Sequence, residues 1–205
     1  PLADVEPYSL ADKLPVDVKP IANKTRPLTE EKRKHLREFY YAGVALGHYT
    51  LVPDGEWAAN VMLTKKKNGK WRHANDYVGV NSLIKNKQSA FPLPRLGEVL
   101  DDLRGVKHMF SVDFDNAYFQ IPLASDSQHI LAQTSPIGLY APTALPQGVT
   151  DGTQAWQSRL TQALHDRLPW FIIWLDDLLG HSKTWEEYCD NLEFLLKTCH
   201  EKHLY

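Results

Sequence analysis

Phe171-Ile172-Ile173-Trp174-Leu175-Asp176-Asp177-Leu178-Leu179-Gly180-His181-Ser182 is the stretch on which the fold turns. Its apolar arms are too short to cross a membrane and suit two core strands. The reading is a strand over Phe171–Trp174, a tight turn at Leu175-Asp176-Asp177 and a return strand over Leu178–Ser182. Two adjacent carboxylates at such a tip repel each other and gain nothing from packing. Solvated turn aspartates are the commoner reason for such a pair, because Asp favours turns.

A second stretch changes that balance. Ser111-Val112-Asp113-Phe114-Asp115-Asn116-Ala117-Tyr118-Phe119 sets Asp113 at the end of a strand read over 107–114, with an aromatic five residues on. If this strand lies beside the hairpin, three carboxylates converge on one sheet edge. Hard oxygen donors on a rigid platform are what Mg²⁺ takes. Two such ions about 3.5–4 Å apart serve in-line phosphoryl displacement. Asp115 would share a face with Asp113 if the strand continued.

Working outward, Val61–Lys67, then Asn68-Gly69, then Lys70–Asn75 reads as a hairpin at 60–76, Asn-Gly being a strong hairpin signal. Thr29 ahead of Glu30-Glu31 caps a helix to Ala42, with Gly43 as its stop. A helix is expected over 94–103, strands over 128–134 and 139–143, and a helix over 150–168. Thr184 opens a last helix to His203, with Trp185, Tyr188, Leu192, Leu195 and Leu196 facing the core. Residues 1–28, with Pro1, Pro7, Pro15, Pro20 and Pro27, read as an extended lead-in wrapped on the surface. Strands with interspersed helices suggest an α+β fold, an antiparallel sheet with helices on one face.

Composition excludes little. The 205 residues are 43% hydrophobic and 23% charged, with net charge −2. Residues 1–110 hold 18 Lys and Arg against 13 Asp and Glu, and residues 111–205 hold 5 against 12. A basic front half and an acidic back half suit a polyanion on one side and cations on the other. There is no signal-peptide pattern, and Cys189 and Cys199 read as reduced thiols, so an intracellular protein is expected. None of the nine histidines has metal-ligand spacing, and His181 is merely close to the Asp pair.

Taken together the motifs resemble those of reverse transcriptases. Asp113 to Tyr118 is similar to the first palm motif, and Trp174-Leu175-Asp176-Asp177 resembles the Tyr-X-Asp-Asp box with Trp in place of Tyr. Leu145-Pro146-Gln147-Gly148, followed by a polar helix with Trp156-Gln157, resembles the Leu-Pro-Gln-Gly motif. Lys65–Arg72 with Asp76-Tyr77 resembles the fingers hairpin, and Phe91-Pro92-Leu93-Pro94-Arg95 is typical of gypsy-type retrotransposons. The resemblance runs in order from about residue 25 onward, to the family of LTR retrotransposons and retroviruses.

That resemblance implies right-hand polymerase fingers and palm with the thumb absent: lead-in over 1–28, mostly fingers over 29–110, mostly palm over 111–205. It implies Asp113, Asp176 and Asp177 as catalytic residues that bind two Mg²⁺ ions, with Mn²⁺ as substitute, together with the Phe114 carbonyl. Lys66 and Arg72 would clamp the triphosphate, Asn116 and Ala117 would line its pocket, and Gln147 would contact the nucleotide. Tyr118 would stand beneath the ribose and exclude a 2′-hydroxyl. Asp76, Gly148, Trp174 and Leu175 would lie along template and primer. The implied partners are an RNA or DNA template with primer, dNTP, and the thumb, connection and ribonuclease H segments of a longer polyprotein, with no membrane. Two alternatives stay open: a domesticated or weakly catalytic relative that binds nucleic acid or protein, and an RNA-dependent RNA polymerase, which Tyr118 disfavours.

Overall fold

The structure is a computed structural model that describes residues 2–84 and 96–205. Phe91–Arg95, and the start of the helix expected over 94–103, lie outside the described residues. The helices are α1 (Glu30–Ala45), α2 (Val78–Leu83), α3 (Leu96–Asp102), α4 (Ser125–Gln128), α5 (Gly152–Ala163) and α6 (Trp185–Glu201). The strands are β1 (Tyr49–Leu51), β2 (Asn60–Lys65), β3 (Trp71–Asp76), β4 (His108–Asp113), β5 (Gln133–Ser135), β6 (Gly138–Pro142), β7 (Phe171–Trp174) and β8 (Asp177–Ser182). The described residues gather into two units that interleave along the sequence. The first draws on 2–6, 96–121 and 153–205, the second on 7–84 and 122–152.

In the first unit β4, β8 and β7 form an antiparallel sheet in the order β4-β8-β7. Val112, Leu178 and Ile173 alternate onto one face, where Leu178 and Ile173 are buried; Asp113 and Asp177 occupy the other and are exposed. α6 packs on this sheet. It opens with a capping box, Thr184 Oγ1 accepting from the Glu187 N–H while Glu187 accepts from the Thr184 N–H. Its buried face is Asn191, Leu195 and Thr198. Trp185 and Leu196 are exposed, against expectation. Leu195 and Leu196 are about 100° apart on a helix, so one narrow face cannot bury both.

The second unit holds the antiparallel sheets β1-β6-β5 and β2-β3. The Asn68-Gly69 hairpin forms where expected, closed by a five-residue loop in which Lys66 N–H donates to the Lys70 carbonyl. Its Val61 and Leu63 join Leu36 and Tyr40 of α1 in one apolar cluster with Tyr49 and Tyr140. A chain of polar contacts crosses the buried region. Tyr40 Oη donates to Gln133 Oε1, Gln133 Nε2 donates to Tyr77 Oη, and Tyr77 Oη donates to the Leu131 carbonyl.

Three local expectations are corrected. α1 does not stop at Gly43 but continues to Ala45. A Cβ on Gly43 would lie 2.6 Å from the Tyr49 ring, so this glycine serves close packing. Residues 125–131 are helical, and the strand expected over 128–134 shrinks to β5; the apolar pair Ile130-Leu131 fits either period. The helix expected over 150–168 ends at Ala163, and a 3-10 segment containing Pro169 follows. Within the lead-in, Tyr8, Leu10 and Leu14 are buried. Tyr8 Oη and Lys13 Nζ both donate to the buried Asp151 carboxylate.

Candidate active site

In the first unit the hairpin of β7 and β8 turns in two residues, Leu175 and Asp176, because Trp174 and Asp177 are register partners. Leu175 has φ +57°. A bulky residue in the left-handed region costs about 1–2 kcal/mol, a strain that presents Trp174 and Leu175 partly exposed at the tip. On the other side of β8, Asp113 is the register partner of Asp177. Residues directly opposite in an antiparallel pair share a face, with Cβ atoms about 4.5–5.5 Å apart. The backbone therefore brings Asp113 beside Asp177, with Asp176 one residue ahead of it.

Asp176 is partly buried, and its Oδ1 is buried with no hydrogen-bond partner. A carboxylate oxygen removed from water and left unpaired is costly unless a cation or donor reaches it. None of the three carboxylates has an ion-pair partner among the described residues. Carboxylate oxygens of this kind match a hard divalent cation in donor type. In arrangement they are not a closed cage: among the described residues no group of three or more His, Cys, Asp or Glu could hold a metal ion as placed.

β4 ends at Asp113, so Asp115 does not share its face. Asp115 is exposed, accepts from the Asn116 side chain, and donates its N–H to the Tyr205 carbonyl. Phe114 is buried, edge-on against Trp156 of α5. Asn116 takes a left-handed conformation (φ +48°) and is exposed, leading into a 3-10 turn over Ala117–Gln120 whose Ala117 is buried. Tyr118 is half-buried; its hydroxyl lies 3.1 Å from Thr153 Oγ1 on α5. Burial raises the Tyr118 phenol above its usual value, the Thr153 hydrogen bond lowers it, and the adjacent Asp176 carboxylate raises it again. His181 pairs with Met109, four residues along β8 from Asp177, which is about 13 Å. That distance takes it out of the site.

In the second unit Arg72 pairs with Thr64 on the exposed face of the β2-β3 hairpin, and Lys66 begins its exposed loop. Lys65 is committed elsewhere, to Glu31 and to the Trp71 ring. Asp76 forms an ion pair with Arg26 at 3.0 Å. Gln147 is exposed, and Gly148 has φ +104°. A Cβ on Gly148 would stand 3.2 Å from the Asn75 carbonyl oxygen. Two asparagines hold this loop by its backbone. Asn75 Nδ2 donates to the Gln147 carbonyl, Asn81 Nδ2 donates to the Gly148 carbonyl, and Asn81 Oδ1 accepts from the Thr150 N–H. Sequence reasoning missed Asn75, Asn81 and Thr153, whose partners lie 35–72 residues away.

Residues 64–205 match the reverse transcriptase (RNA-dependent DNA polymerase) family. The transposon Tf2-3 polyprotein of Schizosaccharomyces pombe is 26% identical over 141 residues, 68% of this chain and 10% of that protein. The retrovirus-related Pol polyprotein from transposon 412 of Drosophila melanogaster is 28% identical over 157 residues, 73% of this chain and 12% of that protein. The enzymatic polyprotein of cauliflower mosaic virus is 26% identical over 137 residues, 67% of this chain and 20% of that protein. The chain thus spans a tenth to a fifth of these relatives. Among solved structures, the prototype foamy virus protease-reverse transcriptase matches with a TM-score of 0.80 at 20% identity, over 98% of this chain and 26% of that one. The foamy viral protein in complex with RNA/DNA hybrid gives 0.82 at 18% identity, over 98% and 26%. These two likenesses establish the α+β fold, antiparallel throughout its described ladders. With more than half of its residues matched, the chain belongs to the reverse transcriptase (RNA-dependent DNA polymerase) family.

Proposed function

We propose that the chain is the fingers and palm of an RNA- and DNA-templated DNA polymerase, adding dNTPs to a primer 3′ end. The observation that carries this reading is the register pairing of Asp113 with Asp177 beside the unpaired Asp176 Oδ1. Asp113, Asp176 and Asp177, with the Phe114 carbonyl, would hold two Mg²⁺ ions, or Mn²⁺ in their place. When bound, such ions activate an attacking hydroxyl and neutralise a leaving phosphate oxygen. The remaining work falls to the protein's own groups, because phosphoryl transfer needs positioning and charge neutralisation more than covalent help.

In this reading Lys66 and Arg72 hold the triphosphate, a point charge and a planar fork suited to phosphate oxygens. Asn116, Ala117 and Gln147 contact the nucleotide, and the Tyr118 ring bars a 2′-hydroxyl. Asp76, Gly148, Trp174 and Leu175 lie along template and primer. Residues 29–110 act mostly as fingers and 111–205 mostly as palm, after the lead-in of 1–28. The relatives' polyprotein character supports a longer parent; in this reading the parent carries thumb, connection and ribonuclease H segments and works inside the cell. Among the described residues no helix is long and apolar enough to cross a membrane.

The test is primer extension with Mg²⁺ on the Asp176→Asn chain. The expected loss is at least about a hundredfold, the scale of removing one electrostatic stabiliser from a transition state. An unchanged rate turns the reading toward a nucleic-acid-binding relative without catalysis. A preference for rNTPs over dNTPs contradicts the role given to Tyr118.

A further inference from the structure

We propose that Thr153 is a positioning residue for sugar selection, its hydroxyl fixing the Tyr118 phenol and so the direction of that ring. The inference rests on the reading of Tyr118 as the barrier to a 2′-hydroxyl. It goes beyond that reading by assigning the barrier's stiffness to a residue outside the motif.

Tyr118 stands on a short 3-10 turn entered through the left-handed Asn116. Such a turn gives the side chain little lateral support, and a half-buried phenol pivots about two torsions. Its far end is therefore where an anchor counts. That anchor is Thr153 Oγ1, 3.1 Å from the phenolic oxygen and 35 residues away in sequence. Thr153 belongs to the first unit, as do Tyr118 and Asp176. Further along α5, Trp156 packs on Phe114 and Gln157 Nε2 donates to the Ile173 carbonyl at 3.2 Å. The helix bearing the anchor is thus fastened to Phe114, next to Asp113, and to β7, which shares its sheet with β4 and β8.

The phenol has one proton, and Thr153 Oγ1 lies within hydrogen-bond reach of its oxygen, so the threonine hydroxyl can donate to it. With the phenolic proton turned away from it, Thr153 donates to the phenolic oxygen. Serine keeps this donor; valine keeps the shape and loses it. The ring is then held at its tip by the Thr153 hydroxyl.

Two measurements on the purified 205-residue chain test this. The first follows the Tyr118 ring by NMR, its resonance assigned by its loss in Tyr118→Phe. Thr153→Val is expected to shift that resonance and Thr153→Ser to retain it; Thr153→Ala is the second hydroxyl-free variant should valine disturb α5. The second compares dGTP with GTP affinity on a template with a dideoxy-terminated primer, which needs no turnover. Thr153→Val is expected to shrink the preference for dGTP by about fivefold, the order of one neutral hydrogen bond. Tyr118→Phe is expected to shrink it equally, and the double variant no further. An unmoved Tyr118 resonance in Thr153→Val overturns the anchor. A moved resonance with undiminished preference, or full additivity of the two losses, overturns its link to sugar selection. If Tyr118→Ala keeps the wild-type preference, the barrier reading falls first and takes this proposal with it; a shifted resonance would then mark a structural bond alone.

Discussion

Asp113 and Asp177 face one another as register partners across β4 and β8, two exposed carboxylates on one side of a three-stranded sheet. Like charges placed directly opposite destabilise an antiparallel pair by roughly 0.2–1 kcal/mol. Asp177→Asn should therefore raise the melting temperature in metal-free buffer by about 1–4 °C for a domain of this size. The same variant should lose most of the stabilisation that Mn²⁺ confers on the parent chain. Thermal scans with and without Mn²⁺ read both. A variant that melts lower without metal contradicts the repulsion.

Gly148 is required by its backbone. At φ +104° any side chain is strained, and the Asn75 carbonyl oxygen stands where a Cβ would press. Gly148→Ala should cost about 1–3 kcal/mol, seen as a lower urea midpoint with an unchanged slope. A midpoint equal to that of the parent would show that the loop relaxes without penalty.

Gln133 joins two buried phenols. Gln133→Leu leaves the buried Tyr40 hydroxyl without its acceptor, at about 1–3 kcal/mol, while Tyr77 loses a donor but keeps the Leu131 carbonyl. Chemical unfolding should place this variant below the parent chain. A loss under about 0.5 kcal/mol would mean that neither phenol needs the amide.

His73 ties stability to pH. Burial first, then the neighbouring His35, lowers its value from the usual 6.5 to about 4. Its ring stacks on Phe39, and its Nε2 lies 2.9 Å from that of His35. Between pH 4 and 6.5 the unfolded chain holds a proton that the folded chain refuses. Stability is therefore complete above 6.5 and declines as pH falls toward 4. His73→Phe should flatten that slope in urea titrations run at several pH values. An unaltered slope would assign the pH dependence to other groups.

Signals that act within a few residues were legible in the sequence. Asn68-Gly69 closes its hairpin, Thr184 caps α6, and the strands around Asp176-Asp177 form as read. Asp113 was legible because it sits at a strand end with an aromatic five residues on. Where a residue's reason lies far along the chain, the sequence misled. Gly43 reads as a helix stop until Tyr49 is seen against it. Ile130-Leu131 suits strand or helix, and tertiary burial chose helix. Asn75, Asn81 and Thr153 are ordinary polar residues until their partners are in place. The meeting of Asp113 with Asp177 was readable from the motifs; the contacts that support it were not.

Asn75 and Asn81 spend their amides on the backbone around Gln147 and Gly148. A segment already ordered by its neighbours need not be ordered by whatever binds there, so an arriving molecule forfeits less entropy. If Gln147 contacts the nucleotide as proposed, removing either amide should slow productive association and leave that contact intact, a defect of readiness more than of recognition.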